Sequence, residues 1–207
     1  MEKFKNKYRI PSNRLQGYDY GSHGYYFITI CTKNRVEYFG QIVATGNCPM
    51  RMGNGCPLRV GDGDSMDVGN GDSMHVETRN CASLRASEIG KIAIKYWNEI
   101  PKHYPFVELD EFVIMPNHIH GILFFNCPDK TDWNPNQFGV QSKNLGAVIR
   151  AFKSSVKRYT NQNKIPFEWQ PRYHDRIVRD DRELMAIRRY IKNNPSNWAK
   201  DKMNKPG

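Results

Sequence analysis

Two histidines separated by one residue, His118 and His120, stand inside the run Met115-Pro116-Asn117-His118-Ile119-His120-Gly121-Ile122-Leu123. On an extended strand, residues two apart share a face, with Cα atoms about 6.6 Å apart. Imidazoles so placed can converge on one divalent cation, each metal–nitrogen bond spanning about 2.0–2.1 Å. Ile119 then points the other way, into the core, and Gly121 leaves backbone room beside the pair. The plain alternative is two polar residues on a solvated strand face.

A second constellation is Ile187-Arg188-Arg189-Tyr190-Ile191-Lys192-Asn193-Asn194-Pro195. Tyr190 and Asn194 lie on one face of a helix, about 5–6 Å apart at Cβ. A phenol can serve as nucleophile, and a carboxamide beside it can offer an oxygen to a metal. The plain alternative is a half-buried tyrosine at a helix end, where Pro195 limits the helix. Tyr159 is a rival nucleophile, with Asn163 following it at the same spacing.

Cations and aromatics crowd the last third of the chain. Lys153, Lys157 and Arg158 share one helix. Trp169-Gln170-Pro171-Arg172-Tyr173-His174-Asp175-Arg176 follows, and then Arg179, Arg182, Arg188, Arg189 and Lys192. Lys and Arg meet phosphates, and aromatic faces stack unpaired bases. DNA contacts are therefore expected from Lys153, Lys157, Arg158, Trp169, Arg172, Arg188, Arg189 and Lys192. The net charge of +10, from 31 Lys and Arg against 21 Asp and Glu, favours a polyanionic partner.

The elements that must hold these residues can be read from periodicity. Tyr25 to Thr32 is aromatic and β-branched, the composition of a strand, with Val36 to Phe39 as a short return strand. Ser87 caps a helix running to His103, with Ile89, Ile92, Ala93, Tyr96, Trp97 and Ile100 on one side. Val107–Met115 and His118–Phe125, divided by Pro116-Asn117, read as adjacent antiparallel strands. After the turn-rich stretch 126–141 come helices from Asn144 to Tyr159 and from about Arg179 to Asn193. The pattern is α+β, a sheet with helices on one face.

A chain of 207 residues suits one domain, 1–207, with a real core. No apolar run approaches a membrane span, and the N-terminus has no signal-peptide pattern, so a cytoplasmic address is expected. The five cysteines form no CxxC pair and read as free thiols. From Thr45 the chain repeats in eights, TGNCPMRM, GNGCPLRV, GDGDSMDV, GNGDSMHV. This low-complexity tract, about 44–86, reads as a floppy or hairpin-like insertion apart from the chemistry.

Taken together, Tyr26-Phe27-Ile28-Thr29, Pro116-Asn117-His118-Ile119-His120-Gly121, Trp169-Gln170-Pro171-Arg172-Tyr173 and Tyr190-Ile191-Lys192-Asn193-Asn194-Pro195 resemble the single-tyrosine HUH transposases, and among them the REP-associated tyrosine transposases. The blocks span nearly all the chain except the octads, which depart from the family pattern. The resemblance implies an antiparallel sheet of ferredoxin-like type with helices packed on it, the HUH endonuclease fold. It implies that His118 and His120 hold Mg²⁺ or Mn²⁺, that Asn194 is a helix-borne metal partner, and that Tyr190 is the nucleophile. Family members act on single-stranded DNA bearing imperfect hairpins, cleaving and rejoining it through a 5′-phosphotyrosyl intermediate. A monomer is expected ahead of a dimer. Two rivals stand beside this reading. One is a non-catalytic single-strand binding protein with an RRM-like sheet using Tyr25 and Phe27. The other is a small metal-dependent hydrolase drawing a further ligand from His103, His174, Glu108 or Asp110.

Overall fold

Along Gly24–Cys31 the residues Tyr26, Ile28 and Ile30 alternate with Tyr25, Phe27 and Thr29, so a strand here has two different faces. The fold uses both. The computed structural model describes residue 15 and residues 17–47, 80–130 and 143–204, with the backbone of two short strands nearer the N-terminus. In chain order the elements are β1 (Lys3–Phe4), β2 (Lys7–Tyr8), β3 (Gly24–Cys31), β4 (Gly40–Asn47), β5 (Asn80–Ala86), α1 (Glu88–Asn98), α2 (Ile100–His103), β6 (Val107–Met115), β7 (His118–Phe125), α3 (Leu145–Gln162), β8 (His174–Val178) and α4 (Asp181–Asn193). Short 3₁₀ turns at Lys33–Arg35, Pro195–Lys200 and Lys202–Asn204 complete them.

Strands β6, β7, β3 and β8 form one sheet in that order, antiparallel throughout. With α1 and α3 as crossovers this is the β-α-β-β-α-β ferredoxin-like arrangement, and α4 is added after it. One sheet face carries Tyr26, Ile28, Ile30, Ile119 and Leu123 into a core shared with Trp97 of α1 and with Val148, Phe152 and Val156 of α3. Each wholly buried side chain of this size contributes about 1.5–3 kcal/mol. The opposite face packs Ile122 and its neighbours Phe27 and Val113 beneath Leu184, Ile187 and Ile191 of α4. Helices therefore cover both faces, not one as the periodicity alone implied.

Helix starts follow the capping rules. Ser87, Asn144 and Asp180 each accept a hydrogen bond from a backbone N–H of the first turn. The helix expected to run to His103 breaks at Glu99, because Pro101 sits in the first turn of α2. Val36–Phe39 is not a strand: Asn34 and Arg35, both at φ 53°, turn the chain, and the return strand starts only at Gly40.

The arms of the inserted tract are ordered. β4 and β5 pair as an antiparallel ribbon from Gly40↔Ala86 to Asn47↔Asn80, and β5 lies against the Pro195–Lys200 turn. Gly40 is required here: its φ is +134°, and a Cβ would stand 2.2 Å from the Arg85 carbonyl oxygen. The octads between the arms lie outside the described residues, as does much of the turn-rich stretch. Among the described residues Cys31 and Cys127 are free thiols, and no helix is long and apolar enough to cross a membrane.

Candidate active site

β7 turns His118, His120 and Ile122 to the face that α4 covers, and Ile119 to the other, as its alternation requires. Both histidines are buried, at 0% and 2% exposure. Their ring orientation is set by neighbours. Asn117 spends its amide Nδ2 on two backbone carbonyls, Arg35 O at 3.2 Å and Met203 O at 2.8 Å. Its Oδ1 is left as an acceptor for His118 Nδ1–H at 2.8 Å. That assignment makes His118 Nε2 the lone-pair nitrogen, and this buried atom has no hydrogen-bond partner among the described residues. His120 Nδ1 shares a hydrogen bond with Thr29 Oγ1 at 2.8 Å across the β3–β7 pair, so its Nε2 also faces the site.

Opposite them α4 brings in Tyr190, whose hydroxyl lies 3.1 Å from His120 Nε2. Phe27 stacks on His120 and meets the Tyr190 ring edge-on, filling the floor between them. Tyr190 is 47% exposed, so the phenol is reachable from solvent. Asn194 caps the helix and is buried; its carboxamide oxygen has no partner either. The sequence reasoning missed one residue. Asp201, on the segment after α4, puts Oδ2 3.9 Å from His118 Nε2 while its Oδ1 accepts from Met203 N–H at 2.7 Å. Ligand atoms of His118, His120 and Asp201 all lie within 4.8 Å of one another. Two imidazole nitrogens and a carboxylate so placed form a donor set that can hold a metal ion.

Burial dominates the electrostatics. It holds His118 down to about 4, with Arg35 adding to the effect, and His120 down to about 3, with His118 adding and Asp201 opposing. Both imidazoles are therefore neutral at physiological pH, the form that ligates metal. Burial and the Asp201 charge push the Tyr190 phenol up from its ordinary value, and Asn194 opposes them.

Other expected site residues divide into two groups. Arg188 makes a two-pronged contact with Asp110, including Nε to Oδ1 at 2.9 Å, and Lys192 meets Glu111 at 2.8 Å. These pairs tie α4 to the β6 bulge and so position Tyr190. Lys153 donates to the carbonyls of Gln170 and Arg172, and Lys157 to that of Phe167. Trp169 packs on Phe39, Phe152 and Phe167 and donates to Lys153 O. These three residues build the 167–172 segment on the α3 side of the sheet. Arg158 is exposed on α3, and Arg172, at φ 68°, is exposed at the segment's end. Arg189 is exposed beside Tyr190.

Gly121 serves the opposite face from the histidines: a Cβ there would stand 2.3 Å from the Trp97 ring. Tyr159 is engaged elsewhere, its hydroxyl donating to Glu88 at 2.8 Å on the α1–α3 side. Tyr25 and Phe27 lie beneath α4, which covers the sheet face that an RRM-like binder would leave open. Of the outsiders considered as ligands, Asp110 is held by Arg188, and His103, Glu108 and His174 are exposed. The third ionisable group comes from the tail.

An antiparallel ferredoxin-like sheet with paired histidines on a central strand and a tyrosine helix laid across them defines the HUH endonuclease fold. In that fold the chain resembles the REP associated tyrosine transposase bound to a REP hairpin, with a TM-score of 0.51 and 14% identity over 93% of this chain and 77% of that one. In sequence it is 33% identical, over 201 aligned positions, to an uncharacterised protein of Haemophilus influenzae, with 93% of this chain and 91% of that one covered. The chain belongs to that protein's family. No protein-family model matches it.

Proposed function

We propose that this protein is a metal-dependent single-strand DNA transposase, a nickase and ligase that cleaves and rejoins hairpin-bearing DNA through a 5′-phosphotyrosyl intermediate. The observation that carries this reading is the 3.1 Å approach of the Tyr190 hydroxyl to His120 Nε2, in a cluster where other buried polar atoms lack partners. His118, His120 and Asn194 would hold Mg²⁺ or Mn²⁺, with Asp201 beside them. Such a cation polarises a phosphate and neutralises charge that develops on it.

Tyr190 attacks phosphorus. The phosphorus–O3′ bond breaks as the phosphorus–Oη bond forms; the phenol gives up its proton and the departing 3′ oxygen takes one up. The phosphotyrosyl ester retains the bond energy, so another strand's 3′-hydroxyl reverses the step without a nucleotide cofactor. Arg188 and Lys192 hold the helix that aims the phenol, and Phe27 sets its depth. The substrate is single-stranded DNA with imperfect palindromes, and the unit is a cytoplasmic monomer of one domain, with the octad tract as an insertion.

The test is incubation with labelled hairpin DNA and Mn²⁺ on a denaturing gel. A protein–DNA adduct that vanishes with EDTA and with Tyr190→Phe is expected. Metal-independent retention with no adduct would leave a binding protein instead.

A further inference from the structure

Two of the openings beside α4 differ in charge. At its N-terminal end a cavity of about 870 Å³ is bordered by Arg176, Arg179 and Arg182, but equally by Asp175, Asp180 and Glu183. At its C-terminal end a cavity of about 680 Å³ lies between the helix and the 195–204 segment, with Tyr190 on its wall. Arg189, Lys200 and Lys202 border this second cavity, and none has an ion-pair partner among the described residues. Its one lining carboxylate, Asp201, is turned to His118. The excess positive charge is therefore unspent.

The wall is built firmly. Asn117 donates to Met203 O at 2.8 Å, Arg35 to Lys202 O at 2.8 Å, and Met203 N–H to Asp201. These bonds fix the tail to the same turn that orients His118. Asn193 and Asn197 add carboxamides to the lining; Asn197 Nδ2 is spent on the Asn193 backbone carbonyl at 2.9 Å, and the Asn193 side chain is exposed.

We propose that this cavity binds the unpaired nucleotides of a DNA strand next to the bond to be broken, with Arg189, Lys200 and Lys202 on their phosphates and Asn193 at a base edge. The size lies within the usual range for a ligand site of about 300–1,000 Å³, and cations with carboxamides are the groups that meet phosphates and base edges. The inference rests on the strand-transfer reading and assigns the substrate path to residues outside the histidine cluster.

The test uses full-length protein and a fluorescent single-stranded oligonucleotide in EDTA, read by anisotropy across salt concentrations. Lys200→Gln with Lys202→Gln should weaken binding roughly tenfold at low salt and flatten the salt slope by about 1.4, near 0.7 per lost phosphate contact. Lys91→Gln with Lys95→Gln, on exposed positions of α1 across the sheet, should change neither. Asn193→Ala should alter sequence preference at constant slope. Equal losses from the two lysine pairs, or none from the first, would overturn the assignment. If wild-type protein with Mn²⁺ still forms the covalent adduct in that case, only the cavity inference falls. If wild type neither binds nor reacts, the transposase reading falls with it.

Discussion

On the face of the sheet beneath α1 and α3, strands β3 and β7 point Ile28, Ile119 and Leu123 into closely packed apolar neighbours. On the face beneath α4 the same strands point in Thr29, His118 and His120, and the apolar cluster shrinks to Ile122 and three residues of one helix. Among the described residues the first face leaves the Trp97 indole N–H unpaired, and the second leaves His118 Nε2 and Asn194 Oδ1. Strand alternation lets one pair of strands serve both ends: one side supplies stability, and the other bears the desolvation cost of a buried polar cluster.

The sharpest way to break that division is to exchange the effects. Tyr190→Phe should abolish adduct formation, at least about a thousandfold, while changing the unfolding free energy from urea melts by less than about 0.5 kcal/mol, because the phenol is half exposed. Trp97→Ala should do the reverse. It empties a wholly buried site, costing about 3–5 kcal/mol, yet adduct formation per folded molecule should persist. Stability loss in Tyr190→Phe equal to that of Trp97→Ala would erase the distinction.

Acidity probes the histidines of the α4 face. Both histidines have folded-state values far below the ordinary 6.5, about 4 and about 3, so the unfolded chain binds more protons as pH falls. The stability they contribute is fully present above about pH 6.5 and is lost progressively down to about pH 4 for His118 and about pH 3 for His120. Urea melts of metal-free protein should lose roughly 2 kcal/mol per histidine by pH 5, and His118→Asn with His120→Asn should flatten that slope. A smaller effect is expected from Asp110→Asn, which loosens the Arg188 contact on a partly exposed pair. Melts should register about 1 kcal/mol, with slower adduct formation as α4 gains freedom over the histidines.

The central hairpin was readable almost to the residue. Val107–Met115 and His118–Phe125 combine β-branched runs with a Pro-Asn break, and local chemistry alone determines them. So was the histidine pair, since a period of two places His118 and His120 together whatever else the chain does. Strand β8 escaped because His174-Asp175-Arg176 reads as a solvated charged loop; only pairing to Tyr25–Thr29 makes it a strand. Asp201 escaped for a similar reason: between Lys200 and Lys202 it looks like a surface acid, and its burial depends on a tail folded back by Asn117 and Arg35. The partners of the α3 lysines were not legible, because sequence shows a charge but not what it meets, and here Lys153 and Lys157 donate to backbone carbonyls. Gly121 likewise answers to a tryptophan on another element.

The β4–β5 ribbon has a consequence at the level of the gene. Its register is held at Asn47 and Asn80, on either side of the octads. A unit of eight residues is encoded by a multiple of three nucleotides, so replication slippage that adds or removes a copy keeps the reading frame. The ribbon would close over the altered length at a cost of only about 0.6 kcal/mol per doubling. Lineages can thus vary in copy number here while selection on the histidines and the tyrosine goes on undisturbed, and natural isolates differing by whole octads should show equal thermal midpoints.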